Sequence, residues 1–111
     1  MVFYLVLSTA SSAAEGKKIA QHLVKEGLAA CVNVVPRISS FFFWDGKLCE
    51  EREVLILAKT ERGKKAQMIK KIKELHSYAV PEVLFLKVAG GNRKYLQWVG
   101  EMAGKKNKKN Y

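Results

Sequence analysis

The chain is poor in the residues that build cross-linked or metal-linked frameworks. Its 111 residues include two cysteines, two histidines and two prolines. Cys31 and Cys49 are too few to form a disulfide framework in a chain of this length. We therefore expect both side chains to be reduced thiols, as is usual in the cytoplasm.

Segments that would direct the chain to or across a membrane are also missing. No apolar run approaches the ~20 residues that a membrane-spanning helix needs. Residues 1–7 are apolar, but they have no positively charged start and run directly into Ser8 and Thr9, so they predict no secretory signal. These absences predict a cytoplasmic protein without a membrane partner.

Motifs of the common catalytic sites are absent from the sequence. There is no phosphate-binding P-loop, no glycine-rich turn after the first apolar run, no Cys-x-x-Cys pair and no His-Glu-x-x-His motif. No group of residues offers a nucleophile, a base and an oxyanion donor together. We therefore do not expect an enzyme.

Positive charge is in excess, with a formal net charge of +10. We expect a single domain over residues 1–104, followed by a flexible, lysine-rich tail over residues 105–111. Much of the remaining charge falls on one predicted helix, at Arg62, Lys64, Lys65, Lys70, Lys71 and Lys73. We interpret this pattern as a solvated helix face and a solubilising tail, which would attract polyanions weakly without a specific nucleic-acid partner.

Four consecutive aromatic residues, Phe41, Phe42, Phe43 and Trp44, lead into Asp45-Gly46. Asp-Gly between apolar runs predicts a two-residue hairpin turn, because glycine readily adopts the positive φ that such turns require. Successive side chains of a strand point to opposite faces, so both faces of this hairpin are apolar. A single core cannot cover both faces, and we expect the four aromatic residues to form an oligomer interface.

The extended segment that carries these aromatics is longer than the expected domain. Residues 29–44 would span ~50 Å as a strand, whereas a compact domain of this length is ~34 Å across. Proline cannot donate a hydrogen bond to a strand ladder, so Pro36 predicts an edge or a bulge. We therefore expect either a bend at Pro36 or an arm that projects from the domain.

The pattern along the chain predicts strand, helix, strand, strand, helix, strand and a final helix. Ser12 and Glu15 form a capping box for the first helix, and Gly27 is suited to end it. Thr60 is expected to cap the second helix, and Asn92 the last. The predicted core face of the second helix consists of Ala66, Ile69, Ile72 and Leu75.

This order defines an α+β, ferredoxin-like βαββαβ fold with an extended β2-β3 hairpin and a C-terminal helix. Right-handed crossovers should place the first two helices on one face of a mixed, mainly antiparallel sheet. The fold hosts many activities, so it does not identify a function.

Candidate metal ligands are sparse. His76, Tyr78 and Glu82 occur within seven residues, and they could hold a metal or form a hydrogen-bonded loop. Cys31 and Cys49 could join a soft-metal site, although a cysteine on an apolar strand more often packs as a small hydrophobic residue.

Several segments resemble the CutA divalent-cation tolerance family. They are Ala-Ala-Cys-Val-Asn at 29–33, Trp44 with Gly46-Lys47, Lys59-Thr60, the segment His-Ser-Tyr-Ala-Val-Pro-Glu at 76–82, and Tyr-Leu-Gln-Trp at 95–98. The resemblance extends from Leu7 to Trp98. It implies a cytoplasmic homotrimer of ferredoxin-like subunits whose arms pair with neighbouring sheets, and a link to copper and other divalent cations.

The copper ligands that the resemblance implies are mostly replaced. The family positions are a cysteine that closes the first strand and two adjacent histidines, and here they hold Ser8, Leu75 and His76. Serine is a poor ligand for copper and leucine is none. Any site for copper or another divalent cation should therefore bind weakly and centre on His76, with Glu82, Tyr78 and possible help from Cys31 across a subunit boundary.

Two alternative functions remain open from the sequence. The family is similar in architecture to PII-type trimeric regulators, so a signalling or adaptor module could bind a small anionic ligand between subunits, using Lys59, Arg93 and Lys94. An RNA-recognition motif shares the βαββαβ order and stacks bases on aromatic residues of its third strand. Here the third strand begins with the acidic segment 48–53 and has no aromatic residue, which argues against RNA recognition.

Overall fold

The computed structural model describes residues 1–104, and the predicted basic tail at 105–111 lies outside the described residues. The elements are β1 (Phe3–Ala10), α1 (Ala13–Lys25), β2 (Cys31–Trp44), β3 (Lys47–Glu61), α2 (Lys65–Leu75), β4 (Val83–Lys87) and α3 (Arg93–Met102). A 3-10 turn, Arg62–Lys64, precedes α2. The predicted ferredoxin-like element order is confirmed.

The four strands form one sheet in the order β2-β3-β1-β4, in which every neighbouring pair is antiparallel. The expectation that the sheet would be partly parallel was therefore wrong. It is β3 that separates β1 from β2, because the hairpin returns the chain between the two parallel strands of the split βαβ unit.

Helices α1 and α2 pack on the same face of this sheet. Even-numbered residues of β1 and β3 point toward the helices, because Val6 pairs with Ala58 and the side chains then alternate. The buried core that results consists of Val6, Ala10, Ile19, Leu23, Leu28, Ala29, Val54, Ile56, Ala58, Met68 and Ile72.

The opposite face of the sheet is covered only at one end. Helix α3 lies there, with Gly100 close to Phe3 and Tyr95 beside Cys31. Toward the other end, the leucines of this face stay partly or largely exposed, and Leu84 and Leu86 are 54% and 45% exposed. We call this surface the open sheet face; its residues are Leu5, Leu7, Leu55, Leu57, Leu84 and Leu86.

The β2-β3 hairpin projects beyond the rest of the sheet. Strand β1 ends where Ala10 pairs with Val54, whereas β2 and β3 continue to pair with each other as far as Trp44 and Lys47. This projecting part, residues 38–53, is the arm, and the molecule is 46 Å along its longest axis. Both turn residues have positive φ, 50° at Asp45 and 73° at Gly46, so the predicted two-residue turn is confirmed.

A bulge interrupts β2 at the predicted position. The register shifts between Val35 and Ile38, and Arg37 has a φ of 60°. Pro36 cannot donate to the ladder, and one extra residue in β2 absorbs the break in pairing. Both anticipated consequences of Pro36, a bulge and a projecting arm, therefore occur together.

The prediction for the start of the second helix was wrong. Thr60 lies within β3, is completely buried, and its Oγ1 donates a 2.7 Å hydrogen bond to the carbonyl of Leu28. Helix α2 begins only at Lys65, without a side-chain cap. The helix is therefore turned from the predicted face: Met68 and Ile72 are buried, while Ala66 and Ile69 are exposed.

Candidate functional site

The loop between α2 and β4, residues 76–82, carries three of the predicted site residues and lies at the root of the arm. It begins at His76, which ends α2 with an extended backbone, and it leads into β4 at Val83. Its contacts with β1, α1 and β3 fix its position, and each contact joins residues that are distant in sequence.

The imidazole of His76 is a buried part of this loop. Its Nε2 donates a 2.6 Å hydrogen bond to the carbonyl oxygen of Thr9, and its Nδ1 accepts one of 3.0 Å from the backbone N–H of Tyr78. A carbonyl can only accept, so Nε2 carries the proton and Nδ1 is the unprotonated nitrogen. In this arrangement both ring nitrogens have backbone partners, and the side chain is fully buried.

Glu15 anchors the same loop from the first turn of α1. Its carboxylate accepts hydrogen bonds from the backbone N–H of Ser77 at 2.8 Å and of Ser11 at 2.9 Å, and from the Ser11 hydroxyl at 3.0 Å. Partial burial by itself raises the pKa of Glu15, but the hydrogen bonds from Ser11 and Ser77 outweigh it and lower the pKa to about 2. The carboxylate is thus held ionised.

The predicted capping box at the start of α1 is therefore half correct. Ser12 accepts from the backbone N–H of Glu15 at 3.1 Å, as the motif indicates. Glu15 bonds instead to Ser11 and to the distant Ser77. The sequence motif identified the right residue, but the loop partner could not be read from it.

Tyr78 connects the loop to the arm. Its hydroxyl donates a 2.8 Å hydrogen bond to Oε2 of Glu53. Burial, followed by this hydrogen bond and the charge of Glu53, raises the pKa of Tyr78 to about 12. The phenol remains protonated at neutral pH, where it acts as a donor.

The two substituted family positions have structural roles here. The hydroxyl of Ser8 is buried and donates a 2.7 Å hydrogen bond to the backbone carbonyl of Glu82, which ties β1 to the start of β4. Leu75 packs against the hydrophobic core.

Cys31 lies in a different part of the molecule from His76. It pairs with Lys59 in the register of β2 and β3, whereas Thr9, the partner of His76, pairs with Leu55. Four residues of strand separate the two positions, or about 13 Å along the sheet. The structure brings His76 and Tyr78 together and places Glu82 nearby, but Cys31 does not join them within one chain.

The surroundings of Cys31 form a second polar cluster that the sequence analysis did not assemble. Lys59 Nζ lies 4.0 Å from the Cys31 sulfur and donates a hydrogen bond to the side-chain oxygen of Asn33. Burial, followed by the charge and hydrogen bonding of the neighbouring Cys31, raises the pKa of Tyr95. Both cysteines are unpaired thiols.

A cleft of about 610 Å³ lies between the loop and the arm. Its walls carry both carboxylates and aromatic rings. The lining residues include Ser40, Phe41, Phe42, Glu51, Glu53, Tyr78 and Glu82. Carboxylate and imidazole groups are ligands for divalent cations. Within residues 1–104, however, no group of three or more histidine, cysteine or acidic side chains is close enough to hold a metal ion.

The four aromatic residues of the arm are largely exposed, with Phe41 at 63%, Phe42 at 40%, Phe43 at 73% and Trp44 at 68%. No helix among residues 1–104 is both long and apolar enough to cross a membrane. These features define the class of protein. It is a ferredoxin-like α+β protein with a projecting aromatic arm, and the loop at the root of the arm begins with a buried histidine.

The chain belongs to the family described as CutA1 divalent ion tolerance protein, whose family model matches residues 4–102. The chain is 43% identical over 100 residues to the divalent-cation tolerance protein CutA of Thermus thermophilus, which covers 90% of this chain and 97% of that protein. The solved structure of the Thermus thermophilus protein matches with a TM-score of 0.90, at 42% identity, over 92% of this chain and 99% of the other.

A second solved structure, CutA1 from Oryza sativa, matches with a TM-score of 0.91 at 37% identity, over 93% of this chain and 94% of the other. A relative from Oryza sativa is named as chloroplastic; it is 40% identical, and the match covers 86% of this chain and 54% of that protein. The name of a third structure, from Archaeoglobus fulgidus, describes a periplasmic protein; its TM-score is 0.88 at 35% identity, over 91% of this chain and 98% of the other.

Proposed function

We propose that residues 1–104 act as one domain, that three copies associate into a homotrimer, and that the assembly takes part in tolerance of divalent cations, copper among them. The observation that carries this proposal is the exposed apolar surface of the arm, which lies on the same side of the sheet as the exposed leucines of the open sheet face. Family membership supplies the functional class, and the following contacts support the assembly and its ligand.

The bulge at Pro36 places two aromatic rings of the arm on the same side of the sheet as the open sheet face. Beyond the bulge, Phe42 and Trp44 pair with Cys49 and Lys47, which are odd-numbered residues of β3. Odd-numbered residues of β3 point to the open sheet face, so these two rings extend that face beyond the domain. The odd-numbered residues of β3 between these rings and the leucines are acidic, so the apolar surface has two parts on one side of the sheet. Large exposed apolar surfaces are typical of protein interfaces.

The shape of this surface supports a ring of copies. An arm that reaches the sheet of the next copy makes a heterologous contact when that copy's own arm reaches a further copy and not the first one. Heterologous contacts close into cyclic assemblies, whereas a twofold dimer pairs each patch with itself. A trimer is the closed assembly that the family resemblance implies.

We propose that a divalent cation binds weakly near His76, with Glu82 and Tyr78 beside it. The Nδ1 lone pair of His76 accepts the Tyr78 N–H, so ligation would require the loop to release that hydrogen bond. One imidazole and one carboxylate make an incomplete coordination shell, and further ligands such as Cys31 would come from a neighbouring subunit. Both features predict modest affinity.

The matched relatives are named for tolerance and not for a catalysed reaction. We accordingly propose a binding function without catalysis, in the cytoplasm. The alternative of a PII-like adaptor is not favoured, because the names of these relatives refer to divalent cations and to no small anion.

Native mass spectrometry of protein purified without added metal, followed by calorimetric titration with Cu²⁺, tests the proposal. We expect a mass of three chains and weak copper binding that falls as the pH is lowered, because protons compete with the metal for the imidazole. His76→Ala should abolish this binding, while His22→Ala, which alters the half-exposed histidine of α1, should preserve it.

His76→Gln is the second variant, since its amide N–H can still donate to the Thr9 carbonyl and hold the loop. Equal copper affinity in the wild type and His76→Gln would move the site elsewhere. A mass of one chain would disprove the trimer. Absence of copper binding together with unchanged copper sensitivity of cells lacking the protein would disprove the tolerance function.

A further inference from the structure

The positive charge of the chain is concentrated on the layer formed by α1, the 3-10 turn and α2. We call this surface the helix layer and define it as residues 13–26 and 62–75. It has three acidic residues, Glu15, Glu26 and Glu74, against nine basic ones. The basic residues are Lys17, Lys18, Lys25, Arg62, Lys64, Lys65, Lys70, Lys71 and Lys73.

All three carboxylates of the helix layer already have partners. Glu15 accepts hydrogen bonds from Ser11 and Ser77. Burial alone raises the pKa of Glu26, but its contacts with His22 and Lys71, at 3.3 and 3.2 Å, outweigh burial and lower it. Glu74 pairs with Lys71 at 3.3 Å. Within residues 1–104, the other eight lysine and arginine residues of the layer form no ion pair, although Lys65 lies 4.5 Å over the ring of Tyr4.

The two helices present these cations side by side. Glu26 at the end of α1 contacts Lys71 of α2, and Ser77 after α2 contacts Glu15 at the start of α1, so the helices run antiparallel. Helix α1 has 13 residues and is therefore ~20 Å long. Double-stranded nucleic acid carries one phosphate charge per ~1.7 Å of its axis. A duplex segment as long as α1 therefore carries ~12 phosphates, about half of which face one side.

The end of the described chain lies at the edge of the same layer. The backbone N–H of Gly104 donates a 2.7 Å hydrogen bond to the carbonyl of Gly27, immediately after α1. Gly104 also lies near Lys64, at the start of α2. The described chain therefore ends beside the helix layer.

The composition of the helix layer favours one class of polyanion. It contains no aromatic residue, whereas single-stranded nucleic acids bind through stacking on aromatic rings. Its only large exposed hydrophobic residue is Ile69, at 38%, whereas helices that lie on membranes insert an apolar face. Arg62 is its only arginine, and its other cations are lysines, which bind phosphate groups as point charges.

We propose that the helix layer binds the phosphate backbone of double-stranded nucleic acid without reading its sequence. The binding is ionic and is independent of the proposed metal function, because the loop at His76 and the arm lie outside the layer. It goes beyond the sequence-based expectation of weak attraction to polyanions without a specific nucleic-acid partner.

The test measures fluorescence anisotropy of a labelled, mixed-sequence 24-base-pair DNA duplex with the full chain at several salt concentrations between 50 and 200 mM. We expect log K to fall linearly with log salt, by about 0.9 for each phosphate neutralised. A triple variant, Lys17→Gln, Lys18→Gln and Lys73→Gln, should weaken binding at least tenfold at 100 mM salt and reduce the slope by about 2 to 3.

The matched control removes the same charge from other exposed sites: Lys47→Gln, Lys87→Gln and Lys94→Gln. It should change the affinity less than threefold. Equal losses in the two triple variants would show that only net charge matters and would overturn the proposal. Tighter binding to a single strand of the same length, or to vesicles with 30% phosphatidylserine, would also overturn it.

Discussion

The hydroxyl of Tyr78 lies 2.8 Å from Oε2 of Glu53, and this hydrogen bond joins the loop after α2 to the root of the arm. The same loop is bound to β1 through His76 and Thr9, and to α1 through Ser77 and Glu15. Three separate elements therefore determine where the loop lies. A movement of the arm would therefore displace Tyr78, which is two residues from His76 in the sequence.

Replacing Tyr78 by Phe tests the link between loop and arm. We expect a loss of about 1 kcal/mol in the free energy of unfolding at pH 7, typical of one hydrogen bond. Because the folded-state pKa is raised to about 12, this contribution is present below pH 10 and disappears as the pH rises toward 12. Chemical denaturation at pH 7 and pH 11 measures both effects.

The absorbance of ionised tyrosine provides a control for the same prediction. The difference titration between the wild type and Tyr78→Phe should show a phenol that ionises near pH 12. In Glu53→Gln this pKa should fall toward 10, because the neighbouring charge is removed. A Tyr78 phenol that titrates near pH 10 in the wild type would contradict the geometry.

Glu15 should make the stability of the fold depend on acid pH. Its pKa is lowered from 4.5 to about 2 in the folded chain, so its contribution is complete above pH 4.5 and is lost as the pH falls through 2. We expect Glu15→Gln to cost about 2 kcal/mol at pH 7, after allowance for solvent screening. The difference from the wild type should shrink between pH 4.5 and pH 2.

Urea denaturation across this pH range measures the effect of Glu15. Glu101→Gln, at an exposed carboxylate of α3, is the matched control and should leave the unfolding free energy nearly unchanged. A wild-type advantage over Glu15→Gln that stayed constant down to pH 2 would mean that the charge of Glu15 is not its source.

The aromatic residues of the arm should hold the assembly together. Burial of each exposed ring can contribute about 1.5 to 3 kcal/mol. Replacing Phe42 and Trp44 together by Ser should therefore dissociate or unfold the assembly, as measured by sedimentation velocity. Ile69→Ser, at an exposed apolar residue of the helix layer, should leave the sedimentation coefficient unchanged; a one-chain mass for the wild type would refute the interface.

Cys31 and Cys49 should behave as two free thiols. They lie on paired strands, but Cys31 faces Lys59 and Cys49 faces Phe42 in the register. Thiol titration of freshly purified protein under denaturing conditions should find two reactive groups per chain, and Cys49→Ser should reduce this to one. Fewer than two groups in the wild type without a reducing agent would reveal a bond between chains.

Features decided by neighbouring residues could be predicted from the sequence. Asn92 caps α3 by accepting from the N–H groups of Lys94 and Tyr95, Gly27 has a φ of 70° after α1, and Asp45-Gly46 forms the hairpin turn. In each case the chemistry that fixes the conformation lies within a few residues. The element order followed from these signals and from the hydrophobic pattern.

The contacts that shape the candidate site could not be predicted in this way. Thr9 is 67 residues from His76, Ser77 is 62 from Glu15, and Glu53 is 25 from Tyr78. The sequence identified His76, Tyr78 and Glu82 as a group, but only the fold supplies their partners. Thr60 failed for the same reason, since its bond to Leu28 is a tertiary contact.

The length of the chain at the bulge, Pro36 and Arg37, decides which aromatic residues face each side of the arm. The single extra residue reverses the parity of β2, so that even-numbered rings beyond the bulge share a side with odd-numbered residues of β3. Deleting one residue there would move Phe42 and Trp44 to the opposite side and bring Phe41 and Phe43 in their place. A change of one residue in this short segment would thus exchange the aromatic residues on the two sides of the arm without altering any of them. We therefore expect insertions or deletions there to be tolerated far less than substitutions.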